Sequence, residues 1–375
     1  MKYMGSKRTM LGNGLGELLG REVPRSRRFV DLFAGSAAVS VHVACRFNIP
    51  SLAFDLQAYS AVLAGAVIHR QEALDANAFF PRWKRRAESF VRKLDAPDAS
   101  KVTIASVSAC RKWCNAQSEL PITKAYGGHY FSAKQAVWID ALCAKLPELE
   151  PARTVALAAV IHAASQCAAA PGHTAQPFQP TRTSKRYLAE AWNRDVLQKT
   201  HNAFESIGGL CAQQQGRADV ADANEAAARL EQGDLAFIDP PYSGVHYSRF
   251  YHVLETIAQG SCGDVSGIGR YPAPELRPRS KYSVGSESLG ALDNLLETVA
   301  SRGARAILTF PDHECSNGLS GTTVREIASK HFEVCETQVS SRFSTLGGTG
   351  DGRADEAGRA ATQHAKEMML VLDQK

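Results

Sequence analysis

"GDLAFIDPPYSGVHYSRF", Gly233 to Phe250, runs apolar through Leu235, Ala236, Phe237 and Ile238, then sets an acid, two prolines and a tyrosine side by side. An apolar run of this length, bounded by turn residues, predicts a strand buried on both faces of an α/β sheet. Two successive prolines end it, because neither has an N–H to give to the ladder. Asp239, Pro240, Pro241 and Tyr242 are therefore expected at the strand's carboxyl end, where open α/β sheets bind their ligands. The groups gathered there are a carboxylate, backbone carbonyls and a flat ring, with no nearby donor. They suit a substrate group that brings its own N–H bonds.

Working upstream, "RRFVDLFAGSAAVSVHVACRF" predicts a short strand from Phe29 to Phe33, a glycine turn and a helix. "SLAFDL", ending in Asp55, supplies the next strand and completes a βαβ unit, parallel and right-handed by default. The helix "AYSAVLAGAVIHR" follows, and after Gln71 the pattern changes. "FPRWKRRAESFVRKL" is a basic amphipathic helix, "TVALAAVIHAASQCAAA" an Ala-rich buried helix, and "APGHTAQPFQPTRTSKRY" is rich in turns. Connections in α/β units run to about two to six residues, so an interruption of this size is a subdomain rather than a loop. The expected organisation is a catalytic domain of residues 1–71 and 201–375 with a mostly helical insert over 72–200. Past the prolines, "SRFYHVLETIA" and "LGALDNLLETVASRG" read as helices, "ARAILTF" and "EMMLVL" as strands, and "STLGGTGDGRADEAGRA" as a mobile connection.

The 375 residues, 44% hydrophobic and 22% charged, have the composition of a soluble globular protein with room for one large domain or two ordinary ones. A net charge of +5 is compatible with a polyanionic partner without requiring one. The amino terminus lacks the apolar core of a secretory signal, and the Ala-rich helix is too short and polar to span a bilayer. Nine cysteines with no Cys-x-x-Cys pair suggest a reduced, cytoplasmic protein. Cys110 and Cys114 lie one helical turn apart, but no histidine cluster completes a metal site, and buried thiols are the simpler reading.

Gly35, at a strand-to-helix turn, can take a positive φ and admit a ligand close to the backbone. A dinucleotide fingerprint needs G-x-G-x-x-G, whereas Ala37 and Ala38 follow here, which disfavours a diphosphate cradle. An acid at the end of the second strand, Asp55, is the usual partner of ribose hydroxyls, although it equally suits a helix N-cap. An adenosine-like cofactor without a diphosphate describes S-adenosylmethionine.

With "KYMGSK", "FVDLFAGSAAVS" and "DPPY" in that order, the chain resembles the D12 class of adenine-specific DNA methyltransferases, which includes the Dam-type enzymes. The resemblance implies a Rossmann-like, seven-stranded-type α/β methyltransferase sheet with an inserted, mostly helical target-recognition domain. It implies methyl transfer from S-adenosylmethionine to adenine N6 in double-stranded DNA, with the base flipped into a pocket at Asp239, Pro240, Pro241 and Tyr242. Carried over position by position, Tyr3, Lys7, Asp31, Gly35, Asp55 and Asp239 match the family's cofactor positions, and Asp222 more loosely an acid near the adenine. Ala37 stands where many members have a second glycine, and its methyl group crowds the loop.

An exocyclic adenine nitrogen is a poor nucleophile, because its lone pair is delocalised into the ring. Two acceptors, Asp239 and the Pro240 carbonyl, bias it toward a tetrahedral shape, so catalysis is chiefly orientation and electrostatics. Methylation at cytosine C5 needs a cysteine after a proline, and no Pro-Cys pair occurs in the chain. Methylation at cytosine N4 shares the geometry, but those enzymes more often have serine in place of Asp239. Phosphate contacts are expected from Arg182, Lys185 and Arg186 and from Arg277, Arg279 and Lys281, with a solvated helix face the better reading of Arg82 to Arg86. His246, Arg249 and Tyr251 are candidates for lining the base pocket, Tyr251 equally for the core. An RNA adenine methyltransferase and a non-catalytic DNA-binding relative stay open, as does functional pairing with a restriction or defence nuclease.

Overall fold

The computed structural model describes residues 7–98, 101–344 and 362–375. Among these the chain forms two compact units, one holding residues 7–56, Gln213–His246 and Arg279–Lys375, the other Gln57–Ala212 with Tyr247–Pro278. The first is built on a sheet, the second on helices.

The sheet unit contains seven strands: β1 (Phe29–Asp31), β2 (Ser51–Asp55), β3 (Arg217–Val220), β4 (Leu235–Ile238), β5 (Arg305–Pro311), β6 (Glu333–Ser344) and β7 (Thr362–Asp373). They lie in the order β3-β2-β1-β4-β5-β7-β6. The first five run parallel, and β7 runs antiparallel to both β5 and β6. This mixed α/β architecture with a large, mostly parallel sheet is consistent with a methyltransferase fold. Alternate residues feed opposite faces, as the period of a strand requires. Phe29, Phe237 and Ile307 pack with Leu15, Leu18 and Val43 on one side, whereas Val30, Ala236, Ile238 and Leu308 pack with Leu292, Leu295 and Leu296 on the other. Burial of both faces explains why β4 reads as an unbroken apolar run. From β1 the chain steps outward to β2 and β3, then returns to β4 on β1's other side. The gap between β1 and β4 is therefore the topological switch point, and Asp31 and Asp239 lie at its carboxyl edge.

The expected β1 ends two residues early, at Asp31, and the pairing with β4 stops there too. The twelve-residue β6 was not foreseen, because its exposed positions mask the apolar alternation that marks a strand. The Gly-rich stretch after Ser344 lies outside the described residues.

The helical unit is centred on Ala152–Cys167, whose small side chains are buried nearly all round. A helix without a polar face fits only in an interior. It packs against Val196–Gly208 and Ala58–Ile68. Capping boxes at Thr103 with Ser106 and Ser132 with Gln135 start two of its helices, and Asp75 and Asp195 cap two more. The boundaries expected at 72 and 200 both fall within this unit, which also takes in Ala58–Ile68 and the helix Tyr247–Gln259. Local patterning identified those helices without telling which core would bury them. Cys110 and Cys114 are fully buried in this unit, and the Ala133 amide donates to Cys110 Sγ at 3.3 Å. No described helix is long and apolar enough to cross a membrane.

Candidate active site

Three acids end three adjacent parallel strands: Asp55 on β2, Asp31 on β1 and Asp239 after β4. Parallel strands in register deliver their carboxyl ends to one edge, so a sequence coincidence becomes a cluster. Asp31 is 1% exposed and accepts hydrogen bonds from the Ser40 hydroxyl and, at 3.2 Å, the Phe33 amide. Burial pushes its carboxyl up to about 7 despite those donors, and Asp239 and Asp55 add to the rise by charge repulsion. Asp55 accepts from the Gly35 amide at 2.8 Å, which ties the glycine turn to the end of β2. The turn contains two left-handed residues, Gly35 at φ 51° and Ala37 at φ 59°. Glycine takes this shape freely, whereas Ala37 is strained there.

Asp239 is held from two directions. Its Oδ1 receives the Thr309 hydroxyl at 2.9 Å, from the neighbouring β5, and the Lys7 ammonium at 2.8 Å. Lys7 also reaches Glu367 on β7 at 2.6 Å, with side-chain exposures of 6% and 10% for that pair. Burial and the Glu367 charge raise the proton affinity of Asp239, while Lys7 opposes them. Lys7 itself stays charged: its two carboxylates outweigh the desolvation that acts against the ammonium. Among the described residues, Asp239 Oδ2 accepts no hydrogen bond. Among these residues, then, Oδ1 is anchored twice and Oδ2 is not engaged.

Beyond Asp239 the prolines turn the chain, and Asn317 fixes that turn. Its Nδ2 donates to the carbonyls of Pro241 at 2.8 Å and Tyr282 at 2.9 Å. Among the described residues the Pro240 carbonyl accepts no hydrogen bond. Tyr242 is partly buried against the sheet's core. The site therefore gathers acids, carbonyls and a ring, and its crowded negative charge suits a ligand carrying positive charge better than a diphosphate.

Lys7, Asp31, Gly35, Asp55 and Asp239 to Tyr242 all belong to the sheet unit; Tyr3 lies outside the described residues. Asp222 caps the helix Ala223–Ala227, accepting from the Asn224 amide at 2.9 Å. Of the basic candidates, Arg182, Lys185 and Arg186 are exposed on the helical unit, Arg186 over the Tyr187 ring at 4.5 Å. Arg277 belongs to the helical unit and Arg279 and Lys281 to the sheet unit. Tyr251 is 1% exposed, a core residue at a kink in Tyr247–Gln259. Trp83 is core too, its indole N–H donating to the Leu142 carbonyl, and Arg86 pairs with Glu148. Sequence reading missed Ser40, Thr309, Asn317 and Glu367. Only Thr309, a lone hydroxyl inside the apolar "AILTFP", carried a local signal.

The chain is similar to the modification methylase LlaI of Lactococcus lactis subsp. lactis, 24% identical over 302 residues. That match takes in 77% of this chain and 42% of the relative, so the chain spans less than half of the relative's length. Residues 3–122 match the model of the D12 class of N6 adenine-specific DNA methyltransferases, and it is this family that the chain resembles.

Proposed function

We propose that the protein is an adenine-specific DNA methyltransferase that transfers a methyl group to adenine N6 in duplex DNA. The observation that carries the reading is the half-anchored Asp239, with Oδ1 fixed by Lys7 and Thr309 and Oδ2 left as an acceptor at the switch point. In this reading Asp239 Oδ2 and the Pro240 carbonyl accept the two N–H bonds of the adenine amine. Pulling both hydrogens to one side directs the nitrogen lone pair to the other, which is orientation rather than base catalysis. Tyr242 gives a face for the extruded base to stack on, worth about 1–3 kcal/mol. When the amine becomes cationic, Asp239 is positioned to stabilise it and to take the proton it sheds.

S-adenosylmethionine, when bound, supplies an electrophilic methyl group on a sulfonium. The cluster of Asp31, Asp55 and Asp239 fits such a cation, and Gly35 brings backbone close to it. Lys7 opposes the burial-driven rise in the proton affinity of Asp239 and fixes the carboxylate in place. Asp222 remains a looser assignment toward the adenine end, and Tyr3 enters on the family resemblance. Base flipping, the recognition role of the helical insert and the exposed Arg182, Lys185 and Arg186 as phosphate contacts belong to the same proposal. So does pairing with a nuclease, suggested by a relative named as a modification methylase.

The test is incubation with labelled cofactor and duplex DNA, followed by modification-sensitive sequencing. Methyl-adenine at a defined sequence is the expected product, and Asp239→Ala is expected to bind DNA yet transfer nothing. An unimpaired rate in that variant removes the proposed role.

A further inference from the structure

The Tyr271 ring, in the helical unit, is held rigidly. Its hydroxyl donates to the Ala175 carbonyl, and its centroid lies 4.9 Å from that of the buried His252. Two guanidinium groups sit on this one ring, Arg249 at 4.8 Å and Arg277 at 5.6 Å from its centroid. Among the described residues neither arginine has a carboxylate partner, whereas Arg28, Arg305 and Arg325 are each held by two. Arg277 Nε is moreover buried and makes no hydrogen bond. Glu275, two residues before Arg277, is exposed and pairs with neither arginine, and two further acids of this segment are committed elsewhere. Glu255 accepts from the Ala58 and Tyr59 amides and from Gln259, and Asp264 pairs with Lys124. Arg277 also borders a cavity of about 130 Å³ whose lining includes Ser248, Thr256, Gln259 and Ser261 together with Glu255, the carboxylate already engaged by the Ala58 and Tyr59 amides.

Two neighbouring cations without counterions, stacked on a fixed ring beside hydroxyl and amide groups, call for an anion with several oxygens. Guanidinium groups match phosphate geometry through paired N–H bonds, and an aromatic platform limits the entropy lost on binding. We propose that Arg249, Tyr271 and Arg277 form a clamp for phosphodiester groups that holds a DNA duplex on the helical unit. The clamp rests on the reading of the chain as a DNA-modifying enzyme. It differs from the sequence expectation by joining Arg249 to Arg277 and by making Arg249 a backbone contact rather than a base-pocket residue.

Fluorescence anisotropy of a labelled duplex, titrated with the full-length chain at increasing KCl, tests it. Each phosphate contact contributes about 0.9 to the slope of log affinity against log salt. Arg249→Gln and Arg277→Gln are each expected to lower that slope by about one, the double variant by about two, and Arg249→Lys to preserve it. Arg249 is exposed, so its substitution leaves folding intact even if that of Arg277 does not, and circular dichroism checks both. Duplex binding by the unaltered chain with the same affinity and slope in a folded double variant overturns the clamp and spares the DNA reading. Absence of duplex binding by the unaltered chain at any salt overturns both. Calorimetry with adenosine monophosphate separates a free-nucleotide site: heat lost in the double variant, with duplex binding unchanged, overturns the clamp.

Discussion

Replacing Asp31 by asparagine removes a buried titration while keeping the side chain's size. Asp31 is 1% exposed, and its carboxyl is pushed from the ordinary 3.8 up to about 7. A rise of about three units, at about 1.36 kcal/mol each, amounts to roughly 4 kcal/mol. The sign follows from proton counting. Between about pH 4 and pH 7 the unfolded chain has released this proton and the folded chain keeps it, so stability falls as pH rises through that window. The raw slope mixes several groups. Asp140, pushed up to about 6 by burial, acts in the same direction. His252 and His129, lowered by burial to about 4 and about 3, act oppositely, because folding excludes the proton they would otherwise bind. The difference between the unaltered chain and Asp31→Asn isolates Asp31. Urea unfolding followed by circular dichroism from about pH 4 to pH 8 is expected to show that difference shrinking by roughly 4 kcal/mol in the aspartate's disfavour. Parallel curves would refute the argument. A cationic ligand in the acid cluster favours ionised Asp31, so its affinity should climb as pH rises through about 7 in the unaltered chain and stay level in the variant.

Lys7→Met leaves Asp239 and Glu367 without the cation between them, and breaking a buried pair in this way costs about 3–5 kcal/mol. Asp239 then protonates more readily, so the acid limb of the pH–rate profile should move upward, whereas Glu367→Gln should move it downward. Ala37→Gly relieves a left-handed alanine at φ 59° and should raise unfolding free energy by about 1 kcal/mol, read by thermal or urea melting. Asn317→Ala leaves the buried Tyr282 carbonyl unpaired, costing about 1–3 kcal/mol, and the half-buried Pro241 carbonyl open to water at a smaller cost. Loosening the turn after Asp239 should lower kcat more than it raises KM.

The sequence by itself determined the strands and what stands at their ends. An apolar run stopped by Pro240 and Pro241, an acid closing "SLAFD" and a glycine turn after "FVDL" are local statements, set by backbone donors and side-chain period, and they reappear as β4, β2 and the turn at Gly35. Helix starts such as Thr103 and Ser132 are equally local. Tertiary structure alone decided which strands are neighbours, and hence that Asp31, Asp55 and Asp239 share an edge, where Asp239 and Asp55 add to the proton affinity of the buried Asp31. It also decided that Lys7 and Thr309, far apart in the chain, meet at the Asp239 carboxylate, and that Glu367 takes the other side of Lys7. Ala58–Ile68 was legible as a helix but not as part of the helical unit, since an apolar surface specifies that it will be buried and not against what. Spacing along the chain fixes contacts within a few residues; the partners of a buried charge are fixed only when the sheet has closed the distance between them.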